Sequence, residues 1–303
     1  MCKRLFIVLL IMGISVVSFA EKPTYYIKCQ QFVRPLVEHW TKRYASVRQD
    51  VAFKIADRGT AEEDIALVTM TENGQGNENS TIYFGEYAIL PFTAQGSEAD
   101  RMLKNKYLNK RKLNVLFFER PEEEAFEERP YSETQLETLS VYSGNSPYSL
   151  ANSFAANYGQ TKDDLRGKRI AGDDKYLCAA VNEDPKAVSF NAISNLYDLK
   201  SRQVKENLTI IGIDLSEIDA PKLSNKQNLD EIIEIIENNI TDIIPVGGVG
   251  LALQNKDAEV TAFLKWILTD GVKDNHDFGL LNMGSRAESL QLFKLEPTNT
   301  AAR

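Results

Sequence analysis

Hydrophobic and polar positions switch repeatedly between two periods along this chain. Short runs with alternating or clustered apolar residues are typical of strands, and apolar residues three and four apart are typical of helices. Strands are predicted at 24–29, 51–56, 65–70, 83–92, 168–171, 188–193, 208–213 and 243–253. Helices are predicted near 33–40, over 97–113, 146–158 and 173–182, after 228 and around 260–267. This alternation predicts an α/β fold with mainly parallel sheet.

Three helix boundaries can be placed more closely. The apolar face of the first helix consists of Phe32, Val33, Leu36, Val37 and Trp40. Because proline is tolerated only in a first turn, Pro35 places the start of this helix near Val33 or Arg34. Asn228 and Glu231 form a capping sequence before an apolar run, which predicts a helix start there. Gly271 is expected to cap the end of the last long helix.

The first twenty residues have the pattern of an export signal. Lys3 and Arg4 precede an apolar run from 5 to 17, and Ser18-Phe19-Ala20 supplies small residues at the expected cut. A helix that spans a bilayer needs about 20 apolar residues, which makes a membrane anchor the weaker alternative. We therefore expect residues 1–20 to be removed and the chain to be periplasmic or secreted, with no membrane span after cleavage.

The net charge limits the classes of partner that the chain can bind. The formal net charge of −8 argues against nucleic acid, because binding phosphate backbones needs clustered positive charge. The basic run within 97–113 is interpreted as a solvated helix face.

Cys29 and Cys178 are the cysteines beyond the signal. Export would permit a disulfide, but two thiols buried as small apolar side chains are the simpler interpretation.

No residue arrangement typical of catalysis or metal binding occurs in the sequence. The two histidines, His39 and His276, have no metal-ligand spacing, and no Gly-x-Ser-x-Gly elbow is present. The glycine-rich segment 247–250 lacks the lysine of a phosphate-binding loop, and it is interpreted as a strand or hinge. The sequence thus predicts no enzyme, no cofactor and no metal.

Several segments stand in the order of a known family. The clearest stretch contains Gly172-Asp173-Asp174, Ala179-Ala180-Val181, Asp184-Pro185 and Val188-Ser189-Phe190. Ile27, Val33, Pro35, Leu36 and Trp40 precede it, and 243–253, Phe263, Leu264, Trp266 and 278–281 follow it. In this order the chain resembles the phosphate-binding component of bacterial ABC transporters, a branch of the type 2 periplasmic binding proteins.

The resemblance implies a two-lobed α/β fold with mixed, mainly parallel sheets joined by a two-strand hinge. The first lobe would hold 21–90 and 245–296, the second would hold 91–244, and 297–303 would form a loose tail. Ligands of such α/β folds bind at strand carboxyl ends, near helix N-termini whose free N–H groups suit anions.

The same resemblance implies a set of ligand-binding residues. They are Gln30, Gln31, Arg58, Gly59, Thr60, Asp64, Ser143, Gly144 and Asn145. The family's Gly-Ser-Ser-Thr loop is replaced here by Cys29-Gln30-Gln31-Phe32, and Leu139 and Val141 stand where an upstream arginine is expected. Phosphate recognition needs many convergent donors, so these changes weaken the case for phosphate as the solute.

The implied function is the capture of a small polar or anionic solute, phosphate among the candidates, for delivery to an ABC permease. The alternative is an interaction protein that keeps the fold but has lost ligand binding, which the altered ligand loops favour. In that case the nine candidate residues would be ordinary loop residues.

Overall fold

The computed structural model describes residues 22–72, 80–120, 130–218, 220–239, 242–254 and 257–296. The expected signal peptide and the tail 297–303 lie outside these ranges. Within them, no helix is both long and apolar enough to cross a bilayer.

The strands are β1 (Thr24–Lys28), β2 (Ala52–Ile55), β3 (Ile65–Thr71), β4 (Thr81–Ala94), β5 (Tyr107–Leu108), β6 (Ser140–Gly144), β7 (Lys168–Ile170), β8 (Ala187–Ala192), β9 (Leu208–Ile210), β10 (Gly212–Ile213) and β11 (Val246–Leu253). The helices are α1 (Arg34–Val47), α2 (Glu98–Leu103), α3 (Lys110–Phe117), α4 (Tyr131–Glu137), α5 (Ala151–Asn157), α6 (Lys175–Glu183), α7 (Ile193–Leu196), α8 (Leu229–Asn238), α9 (Ala258–Thr269) and α10 (Ser285–Lys294).

The main sheet has two halves that share one long strand. Its order is β2-β1-β3-β11-β4-β8-β6-β7, and β9 also pairs with β4. The pairs β1–β2, β1–β3, β6–β7 and β6–β8 are parallel, and β11 and β4 lie between these two parallel groups as antiparallel strands. We call β2, β1, β3, β11 and the start of β4 the first half, and the end of β4 with β8, β6, β7 and β9 the second half.

The chain passes between the halves at two adjacent places. In β4 the partner changes after Ala88, which pairs with Val246 of β11, to Ile89, which pairs with β8. The returning chain lies directly beside this point, where the Ile89 N–H donates to the Pro245 carbonyl at 2.9 Å. The predicted α/β fold, with mixed sheets joined by two strands, is confirmed.

Each half has its own aromatic core. In the first half, Trp40 of α1 is fully buried with its ring edge-on to Phe84 of β4 at 4.8 Å. Its indole N–H donates to the Gly271 carbonyl at 2.9 Å, which ties α1 to the segment after α9. In the second half, Phe154 of α5 stacks on Phe190 of β8 at 3.8 Å. Burying such rings supplies much of the packing that holds each helix on the sheet.

Two predicted helix starts are confirmed. Helix α1 begins at Arg34 with Pro35 in its first turn. Helix α8 is preceded by Asn228, whose side chain accepts the Glu231 N–H while the Glu231 carboxylate accepts the Asn228 N–H. Both predictions rest on local rules, proline geometry and reciprocal capping, that tertiary contacts do not override.

Other element predictions are wrong in extent. One helix over 97–113 is replaced by α2, β5 and α3, because Asn105 takes a left-handed conformation (φ 59°) that ends α2 and its turn. The helix predicted over 146–158 covers only α5, and 208–213 splits into β9 and β10. Gly271 is not a left-handed cap. A Cβ there would lie 3.1 Å from the Trp40 indole nitrogen, so close approach is what needs the glycine.

Candidate functional site

A cleft of about 670 Å³ lies between the two halves of the sheet. From the first half it is lined by residues 28–32 at and after the end of β1, by 68–70 of β3, by Glu62, and by 252–254 at and after the end of β11. From the second half it is lined by 146 and 148–150 before α5, by 172–174 before α6, and by Asn195 of α7. Strand tips and helix starts thus form both walls, as expected for ligand sites of open α/β sheets.

Gln30 is the distinctive polar residue of the first wall. Its backbone N–H donates to the Thr69 hydroxyl at 2.7 Å, which fixes the loop after β1 against β3. The oxygen and nitrogen of its side-chain amide are both buried, and neither has a hydrogen-bond partner among the described residues. A buried amide without partners costs free energy, so this side chain needs a polar group that the described part of the chain does not supply.

Lys28 and Glu62 form an ion pair at the edge of the same wall. The two charged atoms are 2.8 Å apart, and the side chains are 49% and 78% exposed. The hydrogen bond to the Glu62 carboxylate raises the pKa of Lys28. Since an exposed pair contributes little to stability, the main consequence is that each charge offsets the other.

The second wall carries a buried carboxylate. Asp174 precedes α6 and is 8% exposed. Its two oxygens accept the Ser149 hydroxyl and the Leu150 N–H, each at 2.7 Å, at the start of α5. Burial raises the pKa of Asp174 to about 6, the two hydrogen bonds oppose that rise, and the neighbouring Asp173 adds to it.

Gly144 makes room for this carboxylate. A Cβ at position 144 would lie 2.1 Å from an Asp174 carboxylate oxygen and 2.3 Å from the Ser149 hydroxyl oxygen. No real side chain fits at such distances, so the end of β6 must be glycine for Asp174 to reach the start of α5. Gly144 therefore allows Asp174 to approach Ser149 and Leu150 in the second wall.

The structure brings together only part of the predicted site. Gln30 and Gln31 line the cleft. The segment Arg58-Gly59-Thr60 forms an exposed turn organised by Asp57, whose carboxylate accepts the Gly59 N–H at 2.8 Å. Asp64 is exposed and, like this turn, is outside the lining.

The remaining candidates lie near the second wall without lining it. Ser143 is buried, and its hydroxyl accepts a hydrogen bond from Arg169 at 2.9 Å. Asn145 is exposed, and its N–H donates to the Ile170 carbonyl. For these residues, as for 58–60 and 64, a role in binding stays a prediction.

Two acids of the second wall were missed by sequence reasoning. In the sequence, Asp173 and Asp174 belong to the motif that carries the family resemblance and are not among the nine candidate site residues. Their position, directly after β7 and before α6, was the available signal, because strand ends followed by helix starts form the ligand edge of such a sheet.

The two cysteines have the character of buried thiols. Cys29 lines the cleft and Cys178 lies in α6, and both are free. Burial raises the pKa of Cys29 to about 12 and also raises the pKa of Cys178. Thiols with raised pKa values are poor nucleophiles. Among the described residues, no group of three or more potential ligands could hold a metal ion.

Comparison with known proteins gives similarity in structure only. No protein-family model matches the chain, and no curated protein matches its sequence. A protein from Clostridium perfringens, assigned as a phosphate ABC transporter substrate-binding protein and solved with bound phosphate, superposes with a TM-score of 0.57 at 11% identity. An ABC-type phosphate transport receptor from Vibrio cholerae superposes with a TM-score of 0.53 at 12% identity.

Both superpositions cover 86% of this chain and 100% of the other. At these identities the likeness concerns the arrangement of the backbone, and it agrees with the shared strand and the two crossings described above. The chain has the two-lobed fold of the type 2 periplasmic binding proteins.

Proposed function

We propose that this protein is an extracytoplasmic solute-binding protein that captures a small polar solute between its lobes and delivers it to an ABC permease. The fold and the position of the cleft support this proposal. In this proposal residues 1–20 are the export signal, 21–90 with 245–296 form the first lobe, and 91–244 form the second.

The single observation that carries the proposal is the amide of Gln30. Both of its polar atoms are buried and have no partner among the described residues, although the residue lines the cleft between the halves. Rotation of the Gln30 side chain toward the cleft would let a solute donate to the amide oxygen and accept from the amide nitrogen, which would remove the cost of burying this group. The hydrogen bonds that the buried amide lacks would then contribute to the free energy of solute binding.

The same geometry supports closure of the lobes around a solute. The walls belong to different halves of the sheet, and the chain crosses between them beside Ala88 and Pro245. A solute that contacts Gln30 on one wall and the segment before α6 on the other binds the closed arrangement better than an open one. Such differential affinity is what shifts a population between two arrangements.

The alternative of an interaction protein with a lost site is not favoured, because the cleft has a volume in the range of small-molecule sites and a lining that includes polar groups. The proposal includes no catalytic step. The two thiols have raised pKa values and no metal-binding group is found in the described part of the chain.

Thermal unfolding of the purified chain with a panel of solutes tests the proposal. The panel contains inorganic oxyanions, amino acids, polyols and amines, each near 10 mM. A solute present at a hundredfold excess over its Kd stabilises the fold by about 2.7 kcal/mol, which raises Tm by several degrees.

Gln30→Leu is the decisive variant, and Gln160→Leu makes the same change outside the cleft lining. We expect Gln30→Leu to abolish the shift while its own Tm stays equal to that of the wild type or rises, because an unpaired amide is removed. Gln160→Leu should respond like the wild type. A panel without any shift, or an unchanged response in Gln30→Leu, would refute the proposal.

A further inference from the structure

The ionisable groups in the described lining of the cleft are mostly acidic. Glu62, Asp173 and Asp174 are carboxylates, and Lys28 is the one cation among them. Because Lys28 is 2.8 Å from Glu62, that pair contributes no net charge. The remaining charge of the lining is therefore the negative charge of Asp173 and Asp174.

These two acids have no cationic partner among the described residues. Asp173 accepts the Lys175 N–H at 3.0 Å, and Asp174 accepts the Ser149 hydroxyl and the Leu150 N–H. All three partners are neutral dipoles. Two adjacent carboxylates beside a cleft, balanced only by dipoles, produce a negative potential that attracts cations and repels anions.

Two donors at the start of α5 are also already in use. The hydrogen-bond donors at the start of α5 point to Asp174, which Gly144 allows to approach, so a free oxyanion would have to displace this carboxylate. No arginine belongs to the described lining. Phosphate and sulfate are held by several charge-assisted donors, and the cleft does not offer them.

The rest of the lining suits an organic molecule. Phe32, Met70 and Leu253 provide apolar surface, and the half-exposed ring of Tyr148 lies on the opposite wall. Aromatic faces attract ammonium groups. A volume of about 670 Å³ is in the range of small-molecule sites, and no metal-binding group is found among the described residues. These features favour an organic cation over a metal ion.

We propose that the cleft selects a small organic cation and rejects oxyanions such as phosphate. The cationic group lies against Asp173 and Asp174, and a polar group of the solute satisfies the Gln30 amide on the facing wall. This inference rests on the proposed solute-binding function and narrows its polar or anionic solute to one charge class.

Isothermal titration calorimetry at pH 7.5 and low salt tests the inference. The probes are 1,4-diaminobutane, ethanolamine and tetramethylammonium as cations, and inorganic phosphate and sulfate as anions. We expect at least one cation to bind and neither anion to bind. Asp173→Asn and Asp174→Asn should each weaken that cation at least tenfold, because truncating a buried charge partner usually has an effect of this size or larger.

Asp163→Asn is the matched control, since Asp163 is exposed, lies outside the cleft lining and changes the net charge by the same amount. It should bind the cation as the wild type does. Asp173 is only half-buried, so Asp173→Asn keeps the test valid where Asp174→Asn alters folding. Equal cation affinity in Asp173→Asn and Asp163→Asn would overturn the inference.

The anion arm separates this inference from the broader function. Phosphate binding that is lost in Gln30→Leu, without cation binding, would overturn the charge selection and leave solute capture standing. If no probe and no member of the wider solute panel binds, both the inference and the proposed function fail.

Discussion

Replacing Asp174 by asparagine should make the fold more stable at neutral pH. The carboxylate is 8% exposed, and burial raises its pKa from the usual 3.8 to about 6. The hydrogen bonds from Ser149 and Leu150 oppose this rise but do not cancel it. An ionised group that the fold holds at such a cost is a target whose removal can be measured directly.

The sign follows from proton linkage. Between pH 3.8 and about 6 the folded chain keeps a proton on Asp174 that the unfolded chain has released. The group therefore favours the folded state fully below the unfolded pKa, and this contribution is lost as the pH rises through the folded pKa. At 1.36 kcal/mol per pH unit, the gap between the two pKa values corresponds to about 3 kcal/mol as an upper bound.

Asparagine recovers only part of this amount. Its single carbonyl oxygen can accept one of the two hydrogen bonds well, and the lost bond costs about 1 kcal/mol. We expect Asp174→Asn to raise the free energy of unfolding by about 1–2 kcal/mol at pH 7.5. At pH 4, where the wild-type carboxyl is protonated in the folded state, the variant should be equally stable or less stable.

Urea unfolding at pH 4 and pH 7.5 measures the difference. Asp163→Asn serves as the control, and its exposed position predicts a change within about 0.5 kcal/mol at both pH values. Groups that do not interact with Asp174 titrate alike in wild type and variant, so their effects cancel in the difference. A difference between wild type and Asp174→Asn that is the same at both pH values would refute the reasoning.

Three further substitutions test other parts of the structure by urea unfolding. Gly144→Ala should destabilise the fold by about 1–3 kcal/mol and weaken solute binding, because its Cβ overlaps Asp174; retained stability and binding would contradict the tight packing. Arg166→Lys should cost about 2–3 kcal/mol, because the guanidinium donates to four carbonyls near the ends of α3 and α4 and a lysine cannot reproduce that fork; an unchanged midpoint would argue against this role. Trp40→Phe should cost about 1–3 kcal/mol, because the bond to the Gly271 carbonyl is lost and a void remains; a loss below 0.5 kcal/mol would contradict it.

The fold was predictable from the sequence where local rules and tertiary burial agree. The ring geometry of Pro35 determines the start of α1. Reciprocal hydrogen bonds between Asn228 and Glu231 determine the start of α8, and both starts are observed. The prediction of one helix over 97–113 was wrong because the helical sequence pattern continues across Asn105. In the structure, the left-handed conformation of Asn105 and the short strand β5 interrupt the helix at this point. No periodicity reveals a single backbone reversal of this kind.

Helix α10 was missed for a different reason. Its apolar side chains do not form a buried face, since Leu290 is 57% and Phe293 is 71% exposed while the polar Gln291 is buried. The Gln291 side chain accepts the Tyr83 N–H of β4 at 3.2 Å, so a polar contact helps to hold this helix on the sheet. A prediction that relies on an apolar stripe does not detect a helix that a polar contact holds on the sheet.

The candidate site was predictable only where it follows a strand directly. Gln30 and Gln31 come after β1, and the order of segments places them in the cleft. The loop containing Arg58 follows β2, an edge strand of the sheet, and it turns back on the Asp57 carboxylate instead of reaching the cleft. Such hydrogen bonds decide whether a loop points into or away from a cleft. The order of motifs along the sequence does not reveal them.

Asp174, whose carboxylate accepts the hydrogen bonds at the start of α5, contributes to the proposed charge selection in two ways. The Ser149 hydroxyl and the Leu150 N–H would be available to an external acceptor if position 174 carried no carboxylate, and here the chain supplies that acceptor itself. A carboxylate at position 174 both occupies these donors and adds a negative charge to the wall, so the two effects act in one direction. On the proposed charge selection, a two-lobed fold would change the charge class of its solute through one aspartate and the glycine that admits it, Gly144, while its sheets and hinge strands stay as they are.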